Sequence, residues 1–240
     1  ATFVAGEKRD AHWSYLKEKG YMPMLGFLFE PGICWHEEFR EGNEAPAAGQ
    51  TSFYEACKKR MLKGKRVGSY RADSASYQSD LVNALENDKV NWAITARQDA
   101  AVKTIIKDIS EATWYDPERG CGFEVAETVH TMNGTKTSFR LIVKREVRRQ
   151  GELFEGASGY FYHAVASNWS EEKKNTYEVL AWHNQRGQAE NFNKELKSGF
   201  GMEHMPCGQT WANAVWFRIG VMAYNLFIGF KRLACPESWG

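Results

Sequence analysis

Apolar positions along the first half of the chain alternate between strand-like and helix-like spacing. Strand-like runs occupy residues 20–29, 33–40, 67–73 and 91–97. Spacings of three and four predict helices over residues 51–63, from Ser76 or Ser79 to Glu86, and over residues 99–109, the first capped by Thr51 or Ser52. The turn signal Glu30-Pro31-Gly32 joins the first two strands into a hairpin. The alternation of helices and strands after this hairpin is typical of an α/β sheet with helical crossovers.

The pattern changes character between residues 114 and 168. Strand-like runs now follow one another at residues 124–131, 137–144 and 159–166. Asn133-Gly134, between the first two, is a strong hairpin signal. We therefore expect a β-rich insertion at residues 114–169, between core segments 1–113 and 170–240.

The chain is predicted to be helical from residue 170 onward and to end in a long apolar helix, from about residue 210 to 233. We expect that helix to be buried against the sheet through one set of apolar side chains. These are Val215, Ile219, Met222, Ala223, Leu226, Phe227 and Phe230.

The stretch from His183 to Lys197 predicts a helix with two distinct faces. The polar face carries His183, Arg186, Glu190, Asn193 or Lys194, and Lys197. The second face carries Ala189, Phe192, Leu196 and Phe200 and is suited to packing on a core. A carboxylate flanked by Arg and Lys suits a metal cation and a polyanion. A solvated face with ordinary intrahelical ion pairs is the alternative interpretation.

Composition narrows the class of protein. The 240 residues are 43% hydrophobic, which is enough for a sizeable core. A net charge of +1 excludes a uniformly basic DNA-coating protein, although local basic runs lie at residues 58–65 and 144–149. Each run taken singly is also typical of a solvated surface.

Five widely spaced cysteines, without a Cys-x-x-Cys pair, argue for a reducing compartment and against a disulfide framework or a structural zinc site. They are Cys34, Cys57, Cys121, Cys207 and Cys235. We find no signal peptide and no apolar run long enough to span a bilayer, so we expect a cytoplasmic protein without a membrane partner. Because residue 1 is not Met, we expect a fragment or a processed chain.

Asp73 ends a predicted strand and is followed by a polar turn. In α/β sheets functional groups lie at the carboxyl ends of strands, which makes Asp73 a candidate ligand or catalytic group. Asp is also common in strand-to-helix turns and caps, so a local structural role is the alternative.

The spacing Arg186-x3-Glu190-x6-Lys197 resembles the Tyr-x2-Arg-x3-Glu-x6-Lys signature of bacterial insertion-sequence transposases of the DDE type. The Tyr position holds His183, which is a departure from the signature. Tyr70-Arg71-Ala72-Asp73-Ser74 resembles the Arg-x-Asp-Ser block of the family, although Ala75-Ser76-Tyr77 replaces the usual Gly-Phe. The neighbouring residues 184–191 and 223–226 are also similar, so the resemblance covers nearly the whole chain.

The resemblance implies a ribonuclease H-like α/β fold: a mixed sheet flanked by helices and interrupted by the β-rich insertion. It also implies that Asp73 and Glu190, with a further Asp, hold two Mg²⁺ or Mn²⁺ ions for phosphoryl transfer on DNA. His183, Arg186, Lys194 and Lys197 would contact DNA near the cut. A role for His183 as a filler on the helix face remains open.

In the family, the first acid closes the first strand in an Asp-x-Asp-Ala-Thr-like block. This chain opens with Ala1-Thr2, so the resemblance implies that this Asp directly precedes residue 1. The chain by itself would then be catalytically crippled. Asp10 is the nearby alternative, although it falls in a predicted loop.

The insertion resembles a subdomain in which an aromatic side chain stacks on a flipped base. Trp114 and Trp169 bound it here, and a core role is the alternative for each. Arg140, Lys144 and Arg145 are candidate contacts to the DNA backbone, or solvated residues.

The implied partners are double-stranded DNA at the element ends and at the target, with a dimer bridging two ends in the bacterial nucleoid. No small-molecule substrate is expected. Two alternatives stay open: a DNA-binding relic that does not cut, and a hydrolytic nuclease on the same fold that does not join ends.

Overall fold

The computed structural model describes residues 2–3, 7–15, 17–147 and 159–236. The chain divides into two compact units. The terminal unit consists of Ala1–Arg60 and Gly187–Gly240, and the central unit is Met61–Arg186.

The strands of the described residues are β1 Thr2–Phe3, β2 His12–Trp13, β3 Lys19–Tyr21, β4 Met24–Leu28, β5 Ile33–Glu38, β6 Ser69–Ala72, β7 Asn91–Thr95, β8 Glu124–His130, β9 Phe139–Val147 and β10 Tyr160–Ser167. The α-helices are α1 Gln50–Lys59, α2 Ser79–Asn87, α3 Ala100–Asp108, α4 Thr176–Asn184, α5 Gly187–Lys194 and α6 Thr210–Ala234. Short 3₁₀-helices occupy Ser74–Ser76 and Glu111–Thr113, and a π-helical turn covers Glu195–Gly199.

The central unit is built on a five-stranded mixed sheet of order β6-β7-β10-β9-β8. β6 and β7 run parallel, connected through α2, and the other neighbours are antiparallel. α2 buries Leu81, Val82 and Leu85 completely, which is the apolar stripe that its spacing predicts. This mixed sheet flanked by helices confirms the predicted α/β class and is consistent with a ribonuclease H-like fold.

The predicted hairpin at Asn133-Gly134 joins β8 to β9. Gly134 has φ +89°, a left-handed conformation that L side chains rarely adopt. β10 then pairs with β7, so the strands of residues 114–169 extend the sheet that β6 and β7 begin. The division into a core and an insertion stays a prediction.

One layer of the central core lies between the sheet and α4. Asn175 caps α4 in a reciprocal capping box with Glu178, which satisfies two backbone N–H groups at the helix start. Val179 and Leu180 of α4 pack with buried sheet residues. The sheet residues of this cluster are Ala93, Val125, Ile142 and Val165.

In the terminal unit, β4 and β5 form the predicted hairpin. The Asn225 side chain of α6 bridges β5 by accepting from the Cys34 N–H and donating to its carbonyl, both at 2.8 Å. The Tyr224 hydroxyl donates to the Gly32 carbonyl at 2.6 Å. These bonds fasten α6 to the hairpin, and a small β1-β3-β2 sheet completes the strands described in this unit.

Two predicted helices differ from the structure in their bounds. α1 begins at Gln50 after Gly49 and has no side-chain cap, so Thr51 and Ser52 lie inside the helix. The single helix predicted over residues 183–197 is interrupted, because α4 ends at Asn184 and α5 begins at Gly187. At the break the Arg186 N–H donates to the His183 carbonyl at 2.9 Å, a three-residue step that closes the helix.

The prediction for α6 placed the wrong face of the helix against the core. The helix buries another face, whereas all seven residues predicted to be buried are exposed: Val215, Ile219, Met222, Ala223, Leu226, Phe227 and Phe230. The prediction was wrong for these residues because local apolarity does not reveal which face of a helix meets the core.

Candidate metal and nucleic-acid site

Asp73 lies directly after β6, at the edge where the carboxyl ends of parallel β6 and β7 meet. The side chain is exposed, and its Oδ1 accepts from the Ala75 N–H at 3.0 Å as the cap of the following 3₁₀-helix. The cap is the local role that the sequence allows. It also orients the carboxylate at the edge of an α/β sheet where ligands commonly bind.

His183 is buried beside this strand end, with 1% of its surface exposed. Its Nε2 lies 3.2 Å from both the Ala72 carbonyl oxygen and Thr95 Oγ1. Burial lowers the pKa of His183 to about 4, so the ring is neutral at pH 7. In this arrangement His183 braces the ends of β6 and β7, which supports the filler role over direct DNA contact.

Arg71 on β6 is a site residue to which the sequence analysis assigned no role. Its guanidinium lies 4.9 Å from the Trp182 ring and donates to the Trp182 carbonyl at 2.7 Å and to Gln185 Oε1 at 3.1 Å. The last carbonyls of a helix lack intrahelical partners and carry partial negative charge, so a cation is stabilising there. Arg71 therefore ties the strand that presents Asp73 to the end of α4. The sequence feature that could have identified Arg71 is its position in the Arg-x-Asp-Ser block.

Arg186 follows α4 in the connecting turn and is half-buried. Its positive charge contributes to lowering the pKa of both His163 and His183, after the larger effect of their burial. The rings of these two histidines are 6.1 Å apart. The charge of Arg186 thus disfavours protonation of both rings near the end of α4.

A pocket of about 240 Å³ opens on the α4 face of the central sheet. Its lining is Lys144, Glu146, Phe161, His163 and Asn184. Phe161 is 59% exposed, and Lys144 forms an ion pair with Glu146. The pocket therefore combines an open aromatic surface with a Lys–Glu ion pair, and the sequence analysis missed Phe161 as a candidate.

The two tryptophans considered for base stacking are held by other side chains. Trp114 is 9% exposed, and the Arg145 guanidinium lies 4.2 Å from its ring. Trp169 packs against Trp182 at 5.8 Å, with Lys174 over its ring at 5.0 Å. These contacts favour the core role for both.

All three candidate phosphate contacts on β9 make ion pairs within the chain, and the partner of Lys144 is Glu146. Arg140 pairs with Glu127 through Nη2, 2.5 Å from Oε2. Arg145 is buried and pairs with Glu111 and Glu124, each at 2.8 Å. Of these three side chains, Lys144 lines the pocket.

The remaining predicted site residues lie in the terminal unit. Glu190 is exposed in the first turn of α5, Lys194 is exposed in its last turn, and Lys197 is half-buried in the π-helical turn. The opposite stripe packs as predicted, with Leu196 fully buried and Phe192 against Phe27 at 5.4 Å. Asp73, His183 and Arg186 belong to the central unit, and convergence of Asp73 with Glu190 stays a prediction.

Asp10, the alternative first acid, has a local partner. Its Oδ2 accepts from the Thr210 hydroxyl at 2.6 Å, at the start of α6. This bond gives Asp10 a structural role in the terminal unit.

Within the described residues, no three His, Cys, Asp or Glu side chains lie together as a potential metal site. The donor chemistry of Asp73 and Glu190 nevertheless fits Mg²⁺, because exposed carboxylate oxygens are its preferred protein ligands. No helix in the same part of the chain has the length and apolarity needed to cross a membrane.

The five-stranded mixed sheet flanked by helices, with an acid at the carboxyl end of its parallel strands, is consistent with a ribonuclease H-like α/β fold. The chain matches the family described as transposase DDE domain group 1 over residues 1–239, and it belongs to that family. A search of curated proteins found no match. Membership establishes a transposase role, with DNA as the partner and divalent metals as the usual cofactors of such enzymes.

Proposed function

We propose that this chain is the catalytic core of a transposase that cleaves the ends of an insertion sequence and joins them to target DNA. The observation that carries the proposal is the exposed Asp73 carboxylate at the end of parallel strands, in a chain that matches a DDE family along its length.

Asp73 and Glu190 would hold the metal ions, with the third acid that the DDE signature requires. When bound, two Mg²⁺ or Mn²⁺ ions would activate the attacking oxygen and stabilise the leaving oxygen of the phosphodiester. The Ala75 N–H holds one oxygen of Asp73, and Arg71 and His183 hold the strand end that carries it. Arg186, Lys194 and Lys197 would bind phosphates near the cut.

A nicking and joining assay tests the proposal. The natural protein containing this chain is incubated with Mg²⁺ or Mn²⁺, supercoiled plasmid and a duplex that ends in a pre-cut 3′-hydroxyl. Metal-dependent nicking together with joining of the pre-cut 3′ end to the plasmid supports a transposase. Metal-dependent nicking without such joining supports a hydrolytic nuclease. DNA binding without either reaction supports the non-catalytic relic.

A basic segment that begins in the last turn of α1 and continues into the residues before β6, residues 58–66, supports DNA as the substrate. It carries Lys58, Lys59, Arg60, Lys63, Lys65 and Arg66. Five of the six are exposed, whereas Lys58 pairs with Glu55 at 2.8 Å. Without these six, the chain has 25 basic and 30 acidic side chains, a net charge of −5. Much of the attraction to a polyanion must therefore be local.

Replacing the five exposed bases by Gln is expected to weaken binding to a mixed-sequence DNA duplex. The logarithm of the binding constant should fall less steeply with the logarithm of salt concentration, by about 4 in slope, because each phosphate contact contributes about 0.9. Fluorescence anisotropy at salt concentrations from roughly 50 to 200 mM measures the slope.

The matched control replaces five scattered exposed bases of the central unit by Gln. They are Lys103, Lys107, Arg119, Lys136 and Lys173. A slope change as large in this control, or none in the segment variant, would show that the basic segment is an ordinary solvated surface.

Phe161 is the best-placed candidate for stacking on a base near the cut, because its exposed ring forms part of the pocket wall. Stacking on an aromatic ring contributes about 1–3 kcal/mol per base. Phe161→Ala should therefore slow cleavage about tenfold, whereas Phe161→Tyr, which keeps the ring, should not.

Single-turnover cleavage rates at saturating protein measure this effect. Tyr115→Ala, which removes another partly exposed ring of the central unit, serves as the control. An unchanged cleavage rate for Phe161→Ala would show that Phe161 is an ordinary exposed residue that does not stack on a base during cleavage.

The remaining parts of the proposal concern assembly and location. Two copies would bridge the two element ends in the DNA complex, and the protein would act at the bacterial nucleoid. Crystals soaked in Mn²⁺ would test whether Asp73 and Glu190 share a metal site.

A further inference from the structure

One edge of the central sheet is formed by β8, which pairs with β9 on its inner side. On the outer side, the Tyr115 N–H donates to the Val125 carbonyl at 3.0 Å, and the Val125 N–H donates to the Tyr115 carbonyl at 2.9 Å. Because the backbone groups of a strand alternate between its two sides, those of Glu127 and Val129 also point outward. Two N–H and two C=O groups therefore form an open edge beyond Tyr115.

The four backbone groups of this open edge make no hydrogen bond within the part of the chain that the structure describes. The chain before Tyr115 does not continue along β8, because Glu111–Thr113 forms a 3₁₀-helix instead. The Val129 side chain is 68% exposed, so the backbone beside it is accessible. A further strand can therefore reach the open edge.

The open edge lacks the features by which edge strands usually avoid further pairing, such as lysine, proline, a bulge or an unpaired charge. The β8–β9 register runs without a bulge along the whole strand, and β8 contains no Lys or Pro. The charge of Glu127 is neutralised by Arg140, with 2.5 Å between Nη2 and Oε2. By contrast, β6 at the other edge of the sheet carries Arg71 and follows the basic segment at residues 58–66. The β8 edge is therefore the one suited to accept a strand.

The surroundings of the open edge are acidic. The Thr176 hydroxyl at the start of α4 donates to Glu127 Oε2 at 2.9 Å, so this helix end adjoins the edge. In residues 111–136 and 170–178, six acidic and three basic side chains are exposed. Such a surface repels DNA and attracts a basic peptide. The partner that fits is therefore an extended protein segment and not a nucleic acid.

We propose that the open edge of β8 binds an extended, basic segment of a partner protein as an added β-strand. The backbone of this segment bonds with the outward groups of Glu127 and Val129, which supplies affinity whatever its sequence. Preference for a sequence comes from alternate side chains, with an apolar residue beside Val129 and Lys or Arg near exposed acids such as Glu118. The interaction is separate from the catalytic site and goes beyond the proposed function, since it concerns a protein partner.

Amide hydrogen exchange of the chain alone, followed by NMR, tests whether the edge is open. The amides of Ala126 and Thr128, which face β9, should exchange at least about a hundredfold more slowly than those of Glu127 and Val129. Equally slow exchange at Glu127 and Val129 would show that the chain itself covers the edge, which overturns the proposal. Protection of these two amides that grows with protein concentration would show that a second copy covers it, which also overturns the proposal.

A peptide with blocked ends, Lys-Thr-Val-Thr-Val-Thr-Lys, serves as the probe. Its valines and lysines lie on one face of a strand, so the same face meets Val129 and the acids. The peptide should bind with Kd below about 1 mM and slow exchange of the Glu127 and Val129 amides at least about tenfold. The same peptide with Glu in place of both Lys should bind at least about tenfold more weakly.

Three results with these probes would overturn the proposal. The first is no binding of the Lys peptide at about 1 mM, and the second is equal binding of the Glu peptide. The third is protection of the Glu127 and Val129 amides by a DNA oligonucleotide, which would assign the edge to nucleic acid.

Two variants of Val129 connect peptide binding to the edge. Val129→Pro removes one outward N–H that does not bond with β9, and proline is tolerated at such edge positions. Val129→Lys keeps the backbone and places a like charge beside the basic peptide. Each should weaken binding of the Lys peptide at least about tenfold, whereas Val147→Lys, at an exposed valine of β9, should bind like the natural chain. Binding by Val129→Lys as tight as that of the natural chain overturns the proposal, even where Val129→Pro does not fold.

Discussion

Asp73→Asn and Glu190→Gln are each expected to reduce metal-dependent DNA cleavage by the natural protein at least about a thousandfold. Each change removes one negative charge and one hard ligand, while the side chain keeps its shape. The amide oxygen introduced by Asp73→Asn can still accept the Ala75 hydrogen bond that caps the 3₁₀-helix, so the local fold should survive. The measurement is the initial rate of plasmid nicking at saturating Mg²⁺.

Asp108→Asn and Glu172→Gln, at exposed positions of the central unit, are the matched controls and should cleave normally. DNA affinity in the presence of Ca²⁺ should change little in any of the four variants, because the proposed phosphate contacts are bases. Normal cleavage by either site variant would remove that residue from the catalytic set. Normal cleavage by both variants would show that the resemblance to the DDE signature at Asp73 and Glu190 does not reflect a role in catalysis.

Between pH 7 and pH 4, the free energy of unfolding of the natural chain is expected to fall by roughly 3 kcal/mol more than that of a His183→Gln variant. The cause is the burial of His183, which lowers its pKa from 6.5 to about 4. Gln is not titratable, and its amide can still bond with the Ala72 carbonyl and the Thr95 hydroxyl.

The direction follows from which state binds the proton first. Above pH 6.5 the ring is neutral in both the folded and the unfolded chain, and the contribution of His183 is fully present. As the pH falls, the unfolded chain is protonated first and gains stability relative to the folded chain. The loss continues until the folded ring is protonated near pH 4.

Urea unfolding followed by tryptophan fluorescence at pH 7, 6, 5 and 4 measures the difference. Carboxylates titrate in both proteins, so their contribution cancels in the comparison. His204→Gln, at a side chain that is 77% exposed, is the control. Parallel pH profiles for the natural chain and His183→Gln would show that His183 is solvated or already charged in the folded protein.

Local patterns predicted the strands and their connections well because hairpin and cap signals act over a few residues. Asn133-Gly134 led to the β8–β9 hairpin, and the Glu30-Pro31-Gly32 turn led to the β4–β5 hairpin. The Asp73 assignment also relied on local information, since the end of a strand is visible in its sequence.

The candidate site was harder to predict, because its side chains depend on contacts between distant segments. The same periodicity that placed His183 and Glu190 on one helix could not show that the helix is interrupted after Asn184. Nor could it show that Arg71 bonds with residues of α4 and the following turn, which lie far along the chain. The sequence does not distinguish Phe161 from other aromatic residues in strands, because the pocket that it lines exists only in the folded protein.

The sequence by itself determined the α/β class, the main hairpins and the spacing of Arg186, Glu190 and Lys197 that resembles the DDE signature. Only the tertiary structure decided that His183 is buried at the strand ends and that the outer face of α6 is exposed. The reason is that periodicity records which residues are apolar and how they repeat. Burial is decided by the elements that pack against them, and these come from remote parts of the chain.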